Sequence, residues 1–233
     1  VCRGVDSDGL AAVDPVTGID RWSTDLPCGP LVAHAETATV IGADPDVDGG
    51  NRLLVVDTAT GSVLVDRPID DGLDDRVTGF ERPVGLGETT VVGGFQADLV
   101  TISADGSEVA RHDVAFGRIL GVVDSLVVIA DERVLRGVEP LSGAVVWERE
   151  FPAFPPIVVD GGGLWLVDGP AATAARLDPA TGSNLWTADV GLTRGFDVAA
   201  ADGVAYVVTT QALIALDVGT GDVLWSRHRP RPL

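Results

Sequence analysis

A chain of 233 residues that is 45% hydrophobic, with mean hydropathy +0.27, can bury a sizeable core and fold by itself. Its formal charge of −19 and pI near 4.2 repel phosphate backbones and anionic lipid, and no arginine cluster interrupts the acidity, which excludes nucleic acid and the membrane surface as partner classes. No apolar run approaches the roughly 18 residues of a membrane helix, so no membrane insertion by this segment is expected.

The chain opens with "VCRGV", which by alignment with later segments is a second strand, and continues through "LAAVD" into "VDPVTGIDRW". Close copies of that ten-residue unit recur as "VEPLSGAVVW", "LDPATGSNLW" and "LDVGTGDVLW", with two worn copies, "VDTATGSVLV" and "ISADGSEVAR". Their glycines, Gly18, Gly61, Gly106, Gly143, Gly182 and Gly221, are 43, 45, 37, 39 and 39 residues apart, a period that fits one four-stranded unit. Four residues before the glycine stand Asp14, Asp57, Glu139, Asp178 and Asp217, and a threonine or serine directly precedes it in the same five copies. A short acidic side chain there can accept backbone N–H bonds across a turn, while the glycine supplies the positive φ that closes a hairpin with a bulge.

Before each turn come two short strands, such as "SLVVIAD" and "GVAYVVTT", that are apolar at odd and even positions alike. Both faces of each small sheet must therefore be covered, yet no amphipathic helical pattern exists to cover them. Another copy of the same sheet is the remaining cover, and radial stacking provides it for both faces. The expectation is an all-β chain: a single β-propeller domain over 1–233 made of four-stranded antiparallel blades, with six repeats and an incomplete first blade.

Four residues after the glycine stand Trp22, Trp147, Trp186 and Trp225, replaced by Val65 and Ala110 in the worn copies. Periodic placement reads as packing between blades, with the indole N–H reaching a backbone carbonyl; stacking on a base or sugar is the alternative.

The pattern Asp, two residues, Thr-Gly, three residues, Trp resembles the PQQ-like repeat, strongly in copies one, four, five and six and weakly in two and three. That family includes quinoprotein dehydrogenases, the propeller lipoprotein of the outer-membrane assembly machinery and sensor ectodomains of bacterial kinases. The resemblance implies a bacterial, extracytoplasmic or secreted protein, or the ectodomain of a membrane-anchored one. It also implies a non-catalytic scaffold that binds a protein or peptide through one face or the central funnel. The alternative is a quinoprotein-type or sugar-active enzyme using that funnel. The dehydrogenases carry adjacent cysteines over the cofactor, whereas Cys2 and Cys28 lie 26 positions apart; antiparallel order sends them to opposite faces, against a bridge, and a Cys2–Cys28 disulfide, which a lone pair in an extracytoplasmic chain favours, is the alternative.

His34, His112, His228 and the single Tyr206 fall at unrelated places in the repeat, so no catalytic residue and no resident cofactor are expected. "DPDVDGGN" sets Asp44, Asp46 and Asp48 at alternate positions before Gly49, as calcium loops do, but Arg52 and Val55 stand where further acidic ligands belong. It reads as a lengthened loop between the second and third strands of blade two, with calcium as the alternative. The acidic run Asp70 to Asp75 reads as a solvated connection between blades. "FPAFPPI", with Phe151 and Phe154 among prolines, reads as a stiffened crossover, or else as an exposed apolar edge for a protein partner.

Overall fold

The computed structural model describes residues 2–3, 9–26, 29–43, 51–69, 83–93, 98–113, 117–151, 156–160, 163–168, 171–191 and 196–228. All regular structure among them is β-strand, arranged as six antiparallel sheets that follow one another along the chain. The first sheet takes three strands from the described residues, β1 (Cys2–Arg3), β2 (Gly9–Val13) and β3 (Asp20–Thr24). The second has β4 (Leu31–Ala33), β5 (Thr37–Ala43), β6 (Asn51–Asp57) and β7 (Val63–Ile69). The third has β8 (Val84–Leu86), β9 (Thr89–Val92), β10 (Leu99–Ser103) and β11 (Glu108–His112). β12 (Arg118–Val123), β13 (Leu126–Asp131), β14 (Val134–Val138) and β15 (Val145–Glu150) form the fourth. β16 (Ile157–Asp160), β17 (Gly163–Asp168), β18 (Thr173–Leu177) and β19 (Asn184–Asp189) form the fifth. The sixth holds β20 (Phe196–Ala201), β21 (Val204–Thr209), β22 (Ala212–Asp217) and β23 (Val223–His228).

Each sheet is a meander, so sequence neighbours are also sheet neighbours, and this is the four-stranded blade of a β-propeller with a shorter first blade. The middle strands are apolar on both faces and buried at consecutive positions: Leu53 to Val56 on β6 and Leu164 to Val167 on β17 are all in the core. The last strand of a sheet is far more exposed, and β23 is exposed at all six positions.

Contacts gather into two compact units, one of residues 1–119 with 140–143 and one of 120–139 with 144–233. In each unit the core lies between consecutive sheets. In the first, Leu10 packs with Val40, Leu54 and Val56, and Ile41, Leu53 and Ile69 pack with Val92, Val100 and Ile102. In the second, Leu126, Val128, Leu135 and Trp147 meet Leu164, Leu166, Ala175 and Leu177, while Trp165, Val167 and Ala174 meet Val198, Ala205, Val207 and Ile214.

The last two strands of every sheet are joined by the repeated turn, and the pairing register slips by one residue just before it, as at Ala12/Val13, Val55/Val56, Arg176/Leu177 and Ala215/Leu216. That bulge requires a left-handed residue, and Gly18, Gly61, Gly182 and Gly221 take φ of 70°, 75°, 68° and 78°. Cys28, Phe154, the Asp70 to Asp75 run and the Asp44, Asp46, Asp48 loop lie outside the described residues.

Candidate functional site

The repeated turn is held by its own aspartate. Asp14 Oδ1 accepts the Val16 and Thr17 amides, both at 3.0 Å; Asp57 Oδ1 accepts those of Ala59 and Thr60; Asp217 Oδ1 those of Gly219 and Thr220. Asp178 accepts the Ala180 amide and the Thr181 hydroxyl. At Asp14 and Asp57 the charged carboxylate is the better acceptor, so these bonds favour ionisation there. Arg21, with the Thr17 and Val16 amides, holds the Asp14 carboxyl well below the usual range, and the Thr60 amide and hydroxyl lower that of Asp57. The third turn has Ile102 at the aspartate's place and uses Asp105 instead, which accepts the amide and hydroxyl of Ser107.

Each of the five later turns also receives a side chain from the last strand of the sheet before it. Trp22 donates its Nε1–H to Thr58 O at 2.9 Å, Trp147 to Pro179 O at 2.6 Å and Trp186 to Val218 O at 2.9 Å. In all three the acceptor stands three residues before the turn glycine, and the indole covers that glycine: a β-carbon on Gly61, Gly182 or Gly221 would lie 2.7, 2.5 or 2.6 Å from the ring. The glycine is thus required twice, by its φ and by the close approach.

Two joints do without tryptophan. At the second, Val65 lies against Gly106, and Arg67 donates to the Gly106 carbonyl at 3.1 Å. At the third, His112 lies against Gly143, and its Nε2 bonds to the Leu141 carbonyl at 2.9 Å. Arg67 and His112 each stand six residues after their own turn glycine, on the same strand face as the tryptophan position. Arg149 occupies that place in the fourth sheet and adds bonds to Gly182 O and Asn184 Oδ1 beside Trp147, with burial lowering the pKa of its guanidinium. The sequence pattern singles out the tryptophans and misses these three residues.

Trp225 differs from its counterparts. It is 41% exposed, against 7% for Trp147; Tyr206 lies 6.2 Å away and the Arg227 guanidinium 5.8 Å over the ring, and its Nε1 has no acceptor among the described residues. Periodicity assigns it to packing between blades.

The two ends of the sheets are unlike. One end carries only tight hairpins and the repeated turns. The other carries connections of uneven length, from two residues between Asp131 and Val134 to the long segments Ala43 to Asn51 and Ile69 to Val84. Pairing of Asn51 with both Ala43 and Ile69 makes those two long acidic connections leave the second sheet side by side. In the second unit this end has a cleft of about 440 Å³ lined by Arg133, Val134, Glu150 and Phe151. Phe151 is half-buried, its amide donates to Arg133 O at 2.8 Å, and the Arg149 guanidinium sits 4.9 Å over its ring.

In the first unit, His34 bonds through Nδ1 to Gly87 O at 3.2 Å and through Nε2 to Thr90 Oγ1 at 2.8 Å, tying two hairpins, while His112 serves the third joint. Among the described residues no three His, Cys, Asp or Glu side chains stand close enough to share a metal ion, and no helix is long and apolar enough to cross a membrane.

No curated protein matches the chain by sequence. Residues 130–233 match the family model described as outer membrane protein assembly factor BamB. Among solved structures, BamB from Moraxella catarrhalis superposes with a TM-score of 0.62 at 17% identity, covering 96% of this chain and 71% of that one. Apo AztD from Citrobacter koseri gives 0.61 at 17% over 86% and 60%, and KlHsv2 with loop 6CD replaced by a Gly-Ser linker gives 0.63 at 13% over 96% and 78%. The blades, the indole joints and these likenesses agree on a β-propeller fold, and residues 130–233 carry the match to the family model.

Proposed function

We propose that the chain is a non-catalytic, extracytoplasmic scaffold that holds a protein or peptide partner on the connection-bearing end of its sheets. The contrast between the two ends carries this reading: the turn end is committed to joints, whereas the other end presents connections of uneven length and composition, the part of a rigid scaffold on which binding residues accumulate. The Phe151 cleft is its described centre. It combines an aromatic ring, an arginine and a carboxylate around a concave surface, the side chains that anchor protein interfaces. Family likeness to an outer membrane protein assembly factor supports both a protein partner and a site outside the cytoplasm.

Chemical cross-linking in the source cells, followed by capture of the tagged chain, tests it. A partner captured by the wild type and by Leu141→Ser, at the turn end, should be lost in Arg133→Glu and in Phe151→Ser. Equal capture by all four chains, with their melting temperatures matched, would remove the cleft from the proposal.

A further inference from the structure

Resting on the reading of the Phe151 cleft as the partner's seat, we propose that it takes a short extended peptide in which an apolar side chain stands between an acidic residue, met by Arg133, and a basic one, met by Glu150. The size of the cleft sets the class of occupant. Its volume of about 440 Å³ lies near the lower end of the roughly 300–1,000 Å³ of clefts that hold small ligands, which suits a few residues of extended chain and not the face of a folded domain.

The register of the fourth sheet places the side chains. Val134 pairs with Glu150, Leu135 with Arg149 and Arg136 with Glu148, and residues paired in this way share a face. Leu135 and Trp147 pack with Leu164, Leu166 and Leu177 of the fifth sheet, so Arg149 lies on that face while Val134 and Glu150 lie on the other. Phe151 packs on the fifth-sheet side under the Arg149 guanidinium, 4.9 Å from the ring, and its amide donates to Arg133 O at 2.8 Å. One cleft thus crosses the ends of β14 and β15, with Arg133 beside Phe151 and Glu150 beside Val134.

The two charges of the cleft are available to a ligand. Arg133 and Glu150 are exposed, and neither side chain has a partner among the described residues. Their neighbours are already engaged: Arg136 pairs with Asp131 and Glu148, and Arg149 donates to Gly182 O and Asn184 Oδ1. A cation over the Phe151 ring leaves that ring to an apolar side chain in preference to a second cation, so the basic residue of the peptide goes to Glu150. The net charge of −19 draws a peptide with a basic residue towards the chain, and Arg133 fixes which way round it lies.

Selection of random heptapeptides displayed on phage, with the whole chain as bait, tests this. Peptides enriched on the wild type are expected to carry an acidic and a basic residue on either side of an apolar one, and to be lost in Phe151→Ser. The affinity of the leading peptide, followed by fluorescence anisotropy, should fall about tenfold in Arg133→Glu and return when lysine replaces its acidic residue. Glu150→Arg should do the same for its basic residue. Arg133→Glu and Glu150→Arg are surface changes, and Phe151→Leu repeats the anchor test if Phe151→Ser folds poorly. Enriched peptides that need Phe151 but lack these charges, or that keep their affinity in both charge variants, overturn the proposal and leave the seat in place. Peptides that bind Phe151→Ser as well as the wild type remove the seat itself. No enrichment on the wild type also overturns the proposal, while capture of a partner from cells decides the broader reading independently.

Discussion

The indole of Trp147 lies over the turn at Gly182, donating its N–H to Pro179 O at 2.6 Å while the glycine's missing β-carbon leaves room for the ring. Neither residue can change alone. Trp147 is only 7% exposed and packs with Leu164, Leu166 and Leu177, so Trp147→Ala should cost about 3–5 kcal/mol. Gly182→Ala should cost about 1–3 kcal/mol, since the new methyl meets the ring and φ of 68° is foreign to alanine. Trp225→Ala, at a site 41% exposed, should cost under about 1 kcal/mol, the scale of an ordinary surface change. Urea unfolding of the three variants gives the ranking; equal losses at 147 and 225 would deny the joint its role.

His112 tests the same joint in polar form. Truncation by His112→Ala removes the bond to Leu141 O and should cost about 1 kcal/mol. His112→Arg should recover most of that loss, because Arg67 makes such a bond at the equivalent place in the second joint. A variant as unstable as the alanine one would show that ring shape, not the donor, matters at this position.

Acid should loosen the turns. Asp14 and Asp57 have carboxyls lowered in the folded chain, so they bind protons less readily there than when unfolded. Their contribution is therefore complete above the ordinary carboxylate value of about 4 and is lost as pH falls below it towards the folded values. Melting temperature followed from pH 6 to pH 2 should drop, and should drop less in Asp14→Asn with Asp57→Asn than in the wild type. An unchanged slope in that double variant would assign the acid sensitivity to other groups.

Calcium should not bind the Asp44, Asp46, Asp48 loop. Arg52, at the ninth position of that stretch, is committed to Asp66 on the neighbouring strand through a two-pronged ion pair. A positive charge thus stands at the position in the sequence where a calcium loop needs a further acidic ligand. Calorimetric titration of chelator-treated protein should give no heat at millimolar calcium; heat that vanishes in Asp46→Ala would establish a site there.

The glycine, the aspartate and the tryptophan of the repeat were legible because each is fixed by one local need: a positive φ, a short acceptor, a large flat donor. The joint itself was less so. At Ala110 the lost tryptophan suggested a worn copy, yet the chain restores the contact two residues later with His112, and with Arg67 in the second sheet. Such substitution preserves a strand face rather than a position, so a search by fixed offset passes over it. Trp225 shows the reverse: its offset is regular, but regularity within one blade carries no information about what stands against the next face. The stretch from Phe151 reads in sequence as a stiffened crossover or an exposed apolar edge, and the cleft was not legible because its other walls, Arg133 and Val134, come from a separate hairpin.

Heritable changes of length should fall unequally on this chain. Residues added between Ala43 and Asn51, or between Ile69 and Val84, alter a connection and leave every indole where it was. One residue added between Asp57 and Ser62 would carry Thr58 O away from Trp22 and turn the alternate side chains of β7 to the wrong face. Diverging descendants should therefore agree in length at one end of each blade and drift freely at the other, and an engineered insertion is best placed where that drift is permitted.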